Sequence, residues 1–149
     1  MAKAKTAYEL LQQVCAHILE EPKRYHQGTW GLTRKHAVGV VGRENVPPCG
    51  TVACRAGWIV GLHDGLPSLK NRLSRNQGSV SDRANLILGF KENDDYVVAA
   101  TSELFDSESV DPELKFTSPR EYAKRGVAGL RAFMKKHKAH LQARKLRGV

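Results

Sequence analysis

The sequence predicts a mainly α-helical fold, with about five helices around a central buried helix at residues 52–62. Three observations carry this. Apolar residues recur at helical spacing near both ends of the chain. A run at 51–63 is apolar almost all round, as a helix surrounded by others must be. Only Ala37–Val41 reads as a candidate strand. At 149 residues the chain is long enough to bury a core without disulfide or metal staples. Its 41% hydrophobic and 26% charged content argue against wholesale disorder.

Each element has a local reason. In residues 6–20, Tyr8, Leu11, Val14, Cys15, Ile18 and Leu19 share one arc, and His17 falls on the polar side. Thr6 and Glu9 have the spacing of a capping box, and Pro22 ends the helix. Residues 22–50 are punctuated by Gly and Pro and read as a long irregular loop anchored by Trp30. In the central helix Thr51 is the expected cap. Ala53, Gly57 and Gly61 recur every fourth residue, so a second backbone is expected close to that face. Ser81 is the expected cap of a short helix over 82–88, stopped by Gly89. Glu92–Phe105 reads as a fourth helix. Ser118-Pro119-Arg120-Glu121 is the clearest helix start in the chain. The helix it opens puts Tyr122, Leu130, Phe133, Met134, His137 and Leu141 on one face. Beyond Leu141 the pattern decays, because Arg144 would point into the apolar face, and the last few residues are expected to fray. Residues 1–117 thus read as a small helical domain, and 118–149 as a basic helix packed on it or extending from it.

The charge is lopsided. The net charge is +9, yet residues 1–121 are neutral. After Glu121 there is no carboxylate side chain, and Lys124, Arg125, Arg131, Lys135, Lys136, Lys138, Arg144, Lys145 and Arg147 follow. From Glu92 to Glu113 the balance reverses, with eight acidic residues and no Lys or Arg. The basic character therefore belongs to one element. No apolar run approaches a membrane span, and the N-terminus lacks a signal-peptide core. The expected location is cytoplasmic.

The most distinctive run is Cys49-Gly50-Thr51-Val52-Ala53-Cys54-Arg55-Ala56-Gly57-Trp58. Together with Trp30 and its Gln27-Gly28 lead-in, Leu88-Gly89-Phe90 and Leu104-Phe105, it resembles a loosely defined group of small actinobacterial and bacteriophage proteins with a Cys-Gly-Thr-x-x-Cys-x-Ala-Gly-Trp motif. The resemblance covers roughly residues 8–105 and implies an accessory protein in a bacterial host cell. It implies no activity, and the basic helix lies outside it.

The motif's chemistry has several readings. A Cys49–Cys54 disulfide is feasible across a loop-to-helix junction. Zinc would need ligands from His26, His36 or His63, none with a recognisable spacing. A cysteine near a helix N-terminus is a candidate thiolate nucleophile. The favoured reading is a structural junction in which Trp30, Cys49, Gly50, Thr51, Cys54, Gly57 and Trp58 serve the fold. No catalytic residue, metal or cofactor is then expected.

The basic helix carries the functional expectation. Lys124, Arg131, Lys135 and Lys138 form a stripe that can follow a phosphate backbone. Arg125, Lys136, Arg144 and Lys145 add to it. The partner is then nucleic acid, DNA or RNA, bound without sequence preference. The alternative is an acidic protein partner, such as a host factor, on the same helix. A third reading has the helix neutralised by the acidic 92–113 segment. A helix-turn-helix is excluded, because its recognition helix would carry Glu92, Asp94, Asp95 and Glu103 against phosphates.

Overall fold

A computed structural model describes residues 3–22, 54–69, 78–90 and 118–146. Among these the fold is mainly helical, with no strands. The elements are α1 (Ala7–Glu20), α2 (Arg55–Asp64), the single turn α3 (66–69), α4 (Gly78–Leu88), α5 (Pro119–Lys136) and α6 (Lys138–Ala143). The candidate strand Ala37–Val41, the helix expected over Glu92–Phe105 and the acidic 92–113 segment lie outside the described residues.

Local signals place the helix ends where a side chain or a glycine specifies them. Thr6 caps α1, its Oγ1 accepting from the Glu9 N–H at 3.2 Å. The reciprocal half of the expected box is displaced by one residue: Glu9 Oε2 accepts from the Lys5 N–H at 2.7 Å. Ser118 caps α5, its Oγ accepting from the Glu121 N–H at 3.3 Å, with Pro119 in the first turn. Gly89 ends α4 at φ 81°. Its N–H reaches the Leu86 carbonyl (3.1 Å) and the Phe90 N–H reaches that of Asn85 (2.9 Å), the paired bonds of a Schellman motif.

Other boundaries move. The central helix begins at Arg55, with Cys54 rather than Thr51 at the N-cap and no side-chain cap bond. It ends two residues later than expected, at Asp64, where Gly65 takes φ 96°. α4 begins at Gly78, so Ser81 lies inside it and is not its cap. Val80 is fully buried, and its burial holds a first turn that Gly78 alone disfavours. The last helix breaks at His137 (φ −110°, ψ 22°), which is buried against the Phe133 ring at 4.5 Å between centroids.

One core joins these elements. α1 contributes Ala7, Leu10, Leu11, Val14, Cys15 and Ile18, with Tyr8 and Leu19 at its margin. α2 contributes Ala56, Trp58, Ile59 and Val60. α4 contributes Val80, Ala84, Ile87 and Leu88, with Phe90 just beyond it. α5 and α6 contribute Ala123, Val127, Leu130, Phe133, Met134 and Leu141. α1 packs on α2, α5 and α6, and α2 packs on α4. Every residue from Cys54 to Gly61 is buried, as the all-round apolar pattern demands. Arg55, the exception in that pattern, is fully buried too. It lies against α5 at Gly129, where a Cβ would stand 3.2 Å from its Nη1. At Gly61 a Cβ would meet side chains, Leu69 at 3.2 Å and Trp58 at 3.3 Å, rather than the second backbone expected there. His17 also departs from expectation: it packs on Trp58 with ring centroids 4.4 Å apart.

Residues 144–146 are pinned, and the last residues, 147–149, where fraying is expected, lie outside the described residues. The Ala7 N–H donates to the Arg144 carbonyl (3.0 Å) and the Leu146 N–H to that of Lys5 (2.9 Å), so the two ends of the described chain are clipped together.

Candidate functional site

α5 is strongly amphipathic. Its core face is Ala123, Val127, Leu130, Phe133 and Met134, and α6 adds Leu141. Its other face is exposed at Lys124, Arg125, Arg131, Lys135 and Lys136, and α6 extends it with Lys138; Lys145 is exposed beyond α6. Arg120, one turn before Lys124, is exposed on the same side and joins the stripe. The sequence masks it, because it sits inside the capping signature, before the acid-free tail begins.

The basic side chains are not equivalent. Lys124 Nζ lies 3.5 Å from Glu121 Oε1, an exposed pair contributing little to stability. Lys138 Nζ sits 6.0 Å above the centre of the Tyr8 ring, so it also serves the seam with α1. Arg131 reaches the Cys15 thiol on α1.

Arg144 has a different task altogether. Its Nη2 donates to the Leu86 carbonyl (2.9 Å) and its Nε to that of Ile87 (3.3 Å). His140 Nε2 lies 3.1 Å from the Leu88 carbonyl while its ring stacks on Phe90 at 4.7 Å. The two orphan carbonyls at the C-terminus of α4, Ile87 and Leu88, are thus met from α6 and the tail beyond it, and Leu86, already bonded to the Gly89 N–H, takes a second donor, with a cation at the negative end of the helix dipole. Gly89 makes room for this, because a Cβ there would fall 2.6 Å from Arg144 Cδ. Arg144→Ala is therefore expected to cost about 1 kcal/mol of stability, read as a lower urea midpoint. It should leave polyanion binding far less affected than loss of Lys135.

The cysteine motif is buried where it is described. Trp30, Cys49, Gly50 and Thr51 lie outside the described residues. Cys54, Gly57 and Trp58 are buried, and Cys15 and Cys54 are both thiols. Burial pushes Cys54 up to about 11, overcoming the pull of the α2 N-terminal amides. Burial likewise pushes Cys15 up to about 11, against the pull of Arg131 and Arg55. Both thiols therefore stay protonated at neutral pH, which removes the basis for a Cys54 thiolate nucleophile. Among the described residues no group of three His, Cys, Asp or Glu could hold a metal.

A second polar cluster ties α2 to α4. Arg83 grips the Asp64 carboxylate with two bonds, Nε at 2.7 Å and Nη2 at 2.8 Å, and His63 Nδ1 lies 2.7 Å from Asp64 Oδ1. Asp64 sits at the C-terminus of α2, where the dipole disfavours a carboxylate, and Arg83 offsets that. The Arg83 bonds hold Asp64 below the ordinary carboxylate range, against the opposing effect of burial. Depressed in the fold, Asp64 contributes stability that is present above its unfolded value near 3.9 and is lost as pH falls through its folded value. Asp64→Asn should lower the urea midpoint at pH 7, by about 1–2 kcal/mol in stability, and the gap to the parent should close in strong acid. A gap unchanged by acid would count against the ionic contribution.

No protein-family model, curated protein or solved structure matches this chain. Among the described residues, no helix is long and apolar enough to cross a membrane.

Proposed function

We propose that the protein binds nucleic acid without sequence preference, through the exposed basic face of α5 and α6. The observation that supports this is the division of labour on α5. Its apolar face is used up in the core, while Arg120, Lys124, Arg125, Arg131, Lys135 and Lys136 are exposed on the rest. The core thus holds the helix rigid while these cations stay exposed, and a preorganised row of cations releases counterions from a phosphate backbone at little ordering cost. Burial of the apolar face also removes it from use on a membrane surface. An accessory role in an actinobacterium or its bacteriophage belongs to the same proposal and rests on the Cys-Gly-Thr-x-x-Cys resemblance alone.

Fluorescence anisotropy with a labelled oligonucleotide over a salt series tests the reading. Binding that weakens with a log-log slope of about −3 to −4 is expected if four phosphates are engaged. Failure to bind at 50 mM salt would sink it. Capture of an acidic protein, lost on reversing the same charges, would replace it with the protein-partner reading.

A further inference from the structure

The exposed side chains of α5 fall into two rows. At about 100° per residue, Arg120, Lys124, Arg131 and Lys135 lie within an arc of roughly 60° and extend over about 22 Å of helix. Arg125 and Lys136 form a second row, turned away from the first by roughly 120° and spanning about 16 Å. Between the rows the helix shows Ala128 and Ala132, both exposed; the one acid there, Glu121, is at the start of the helix and partnered by Lys124.

We infer that α5 lies along the major groove of B-form DNA, with one basic row on each flanking backbone. The inference rests on the nucleic-acid reading above and narrows it to one class of duplex. On a helix about 10–12 Å across, rows 120° apart stand about 10 Å from each other at the surface and further apart at the tips. The major groove of B-DNA is about 12 Å wide, so its two phosphate walls fall where the two rows reach. The alanines between them let the helix enter and offer no hydrogen bond to base edges, so the contact reads shape and charge rather than sequence. The A-form groove of duplex RNA is too deep and narrow to admit the helix. A single strand offers no second phosphate wall to meet the second row.

Three labelled probes separate the outcomes: a 20-bp DNA duplex, a 20-bp RNA duplex of matching sequence, and a 20-nt DNA strand, each at 50 mM salt. The DNA duplex is expected to bind at least tenfold tighter than the other two, and two unrelated duplex sequences equally well. Arg120→Glu with Lys135→Glu and, separately, Arg125→Glu with Lys136→Glu should each make the duplex salt slope shallower by about 1.8. Ala132→Trp leaves the charge intact and fills the space between the rows; it should weaken duplex binding at least tenfold while an unchanged melting curve reports the fold. RNA or single-stranded DNA bound as tightly as the duplex overturns groove docking and leaves the broader nucleic-acid reading standing. So does a second-row variant, or an Ala132→Trp variant, that binds like the parent. Binding to none of the three probes overturns both.

Discussion

Trp58→Ala is expected to be the most destabilising single substitution among the described core residues, costing about 3–5 kcal/mol in urea denaturation. Trp58 is 1% exposed and stands on the helix that α1 and α4 both pack against. Its ring meets His17 of α1 and lies so close over Gly61 that a Cβ added there would stand 3.3 Å from it, tighter than an ordinary contact. Deleting the indole leaves a cavity that α2 cannot close by moving, because α1 holds one side and α4 the other. A loss of this size removes a large fraction of the roughly 5–15 kcal/mol that holds a domain folded. The measurement carries its own control. Leu86 is 59% exposed, and Leu86→Ala should change stability by no more than about 0.5 kcal/mol. Trp58→Ala within that same margin would show that α2 is not the centre of the core.

Features written in neighbouring residues are legible in the sequence itself. Thr6 with Glu9, Ser118 with Pro119 and Glu121, and Gly89 each specify a helix end through one side chain or one positive φ, and all three ends fall where those residues predict. The apolar periodicity of α1 and the all-round apolar character of α2 likewise translate directly into burial. Features decided by partners distant in sequence are not legible. Cys54 caps α2 without a side-chain bond, so no local residue type announces it. α4 starts at Gly78 because Val80 is buried, which overrides the local preference for a cap at Ser81. Arg55 reads as a surface residue by type, and only Gly129, 74 positions later, explains where it fits; a glycine midway along an otherwise good helix is the available signal.

The same division runs through the candidate site. Lys124, Arg125, Arg131, Lys135 and Lys136 are exposed because their spacing on α5 opposes that of Val127, Leu130 and Phe133. Charge and period suffice to place them. Arg144 groups with them on charge alone, yet it caps α4, because the carbonyls of Leu86 and Ile87 are brought to it by tertiary packing. Basic residues counted from a sequence therefore overstate a binding surface wherever a helix C-terminus lies nearby.

Reversing two charges at opposite ends of the first row, Arg120→Glu with Lys135→Glu, is expected to weaken DNA binding by at least about 60-fold at 0.1 M salt. Each phosphate contact contributes about 0.9 to the log-log slope, so losing two contacts removes nearly two decades of affinity between 0.1 M and 1 M salt, before any repulsion is counted. The pair is chosen for what the structure puts around it. Arg120 lies in the first turn of α5, where a carboxylate suits the helix dipole. Lys135 is exposed in the last turn, where reversal costs only about 0.3–1 kcal/mol. Lys138 is avoided because its ammonium lies over Tyr8, and Arg131 because it reaches Cys15. A binding defect in this variant with a urea midpoint lowered by no more than that small cost thus reports lost phosphate contacts rather than a loosened helix. Arg144→Ala supplies the opposite pattern, a lowered midpoint with binding largely kept, since its guanidinium is spent on the α4 carbonyls. If the double reversal binds DNA as the parent does, the basic face of α5 is a solvated surface and the nucleic-acid reading falls.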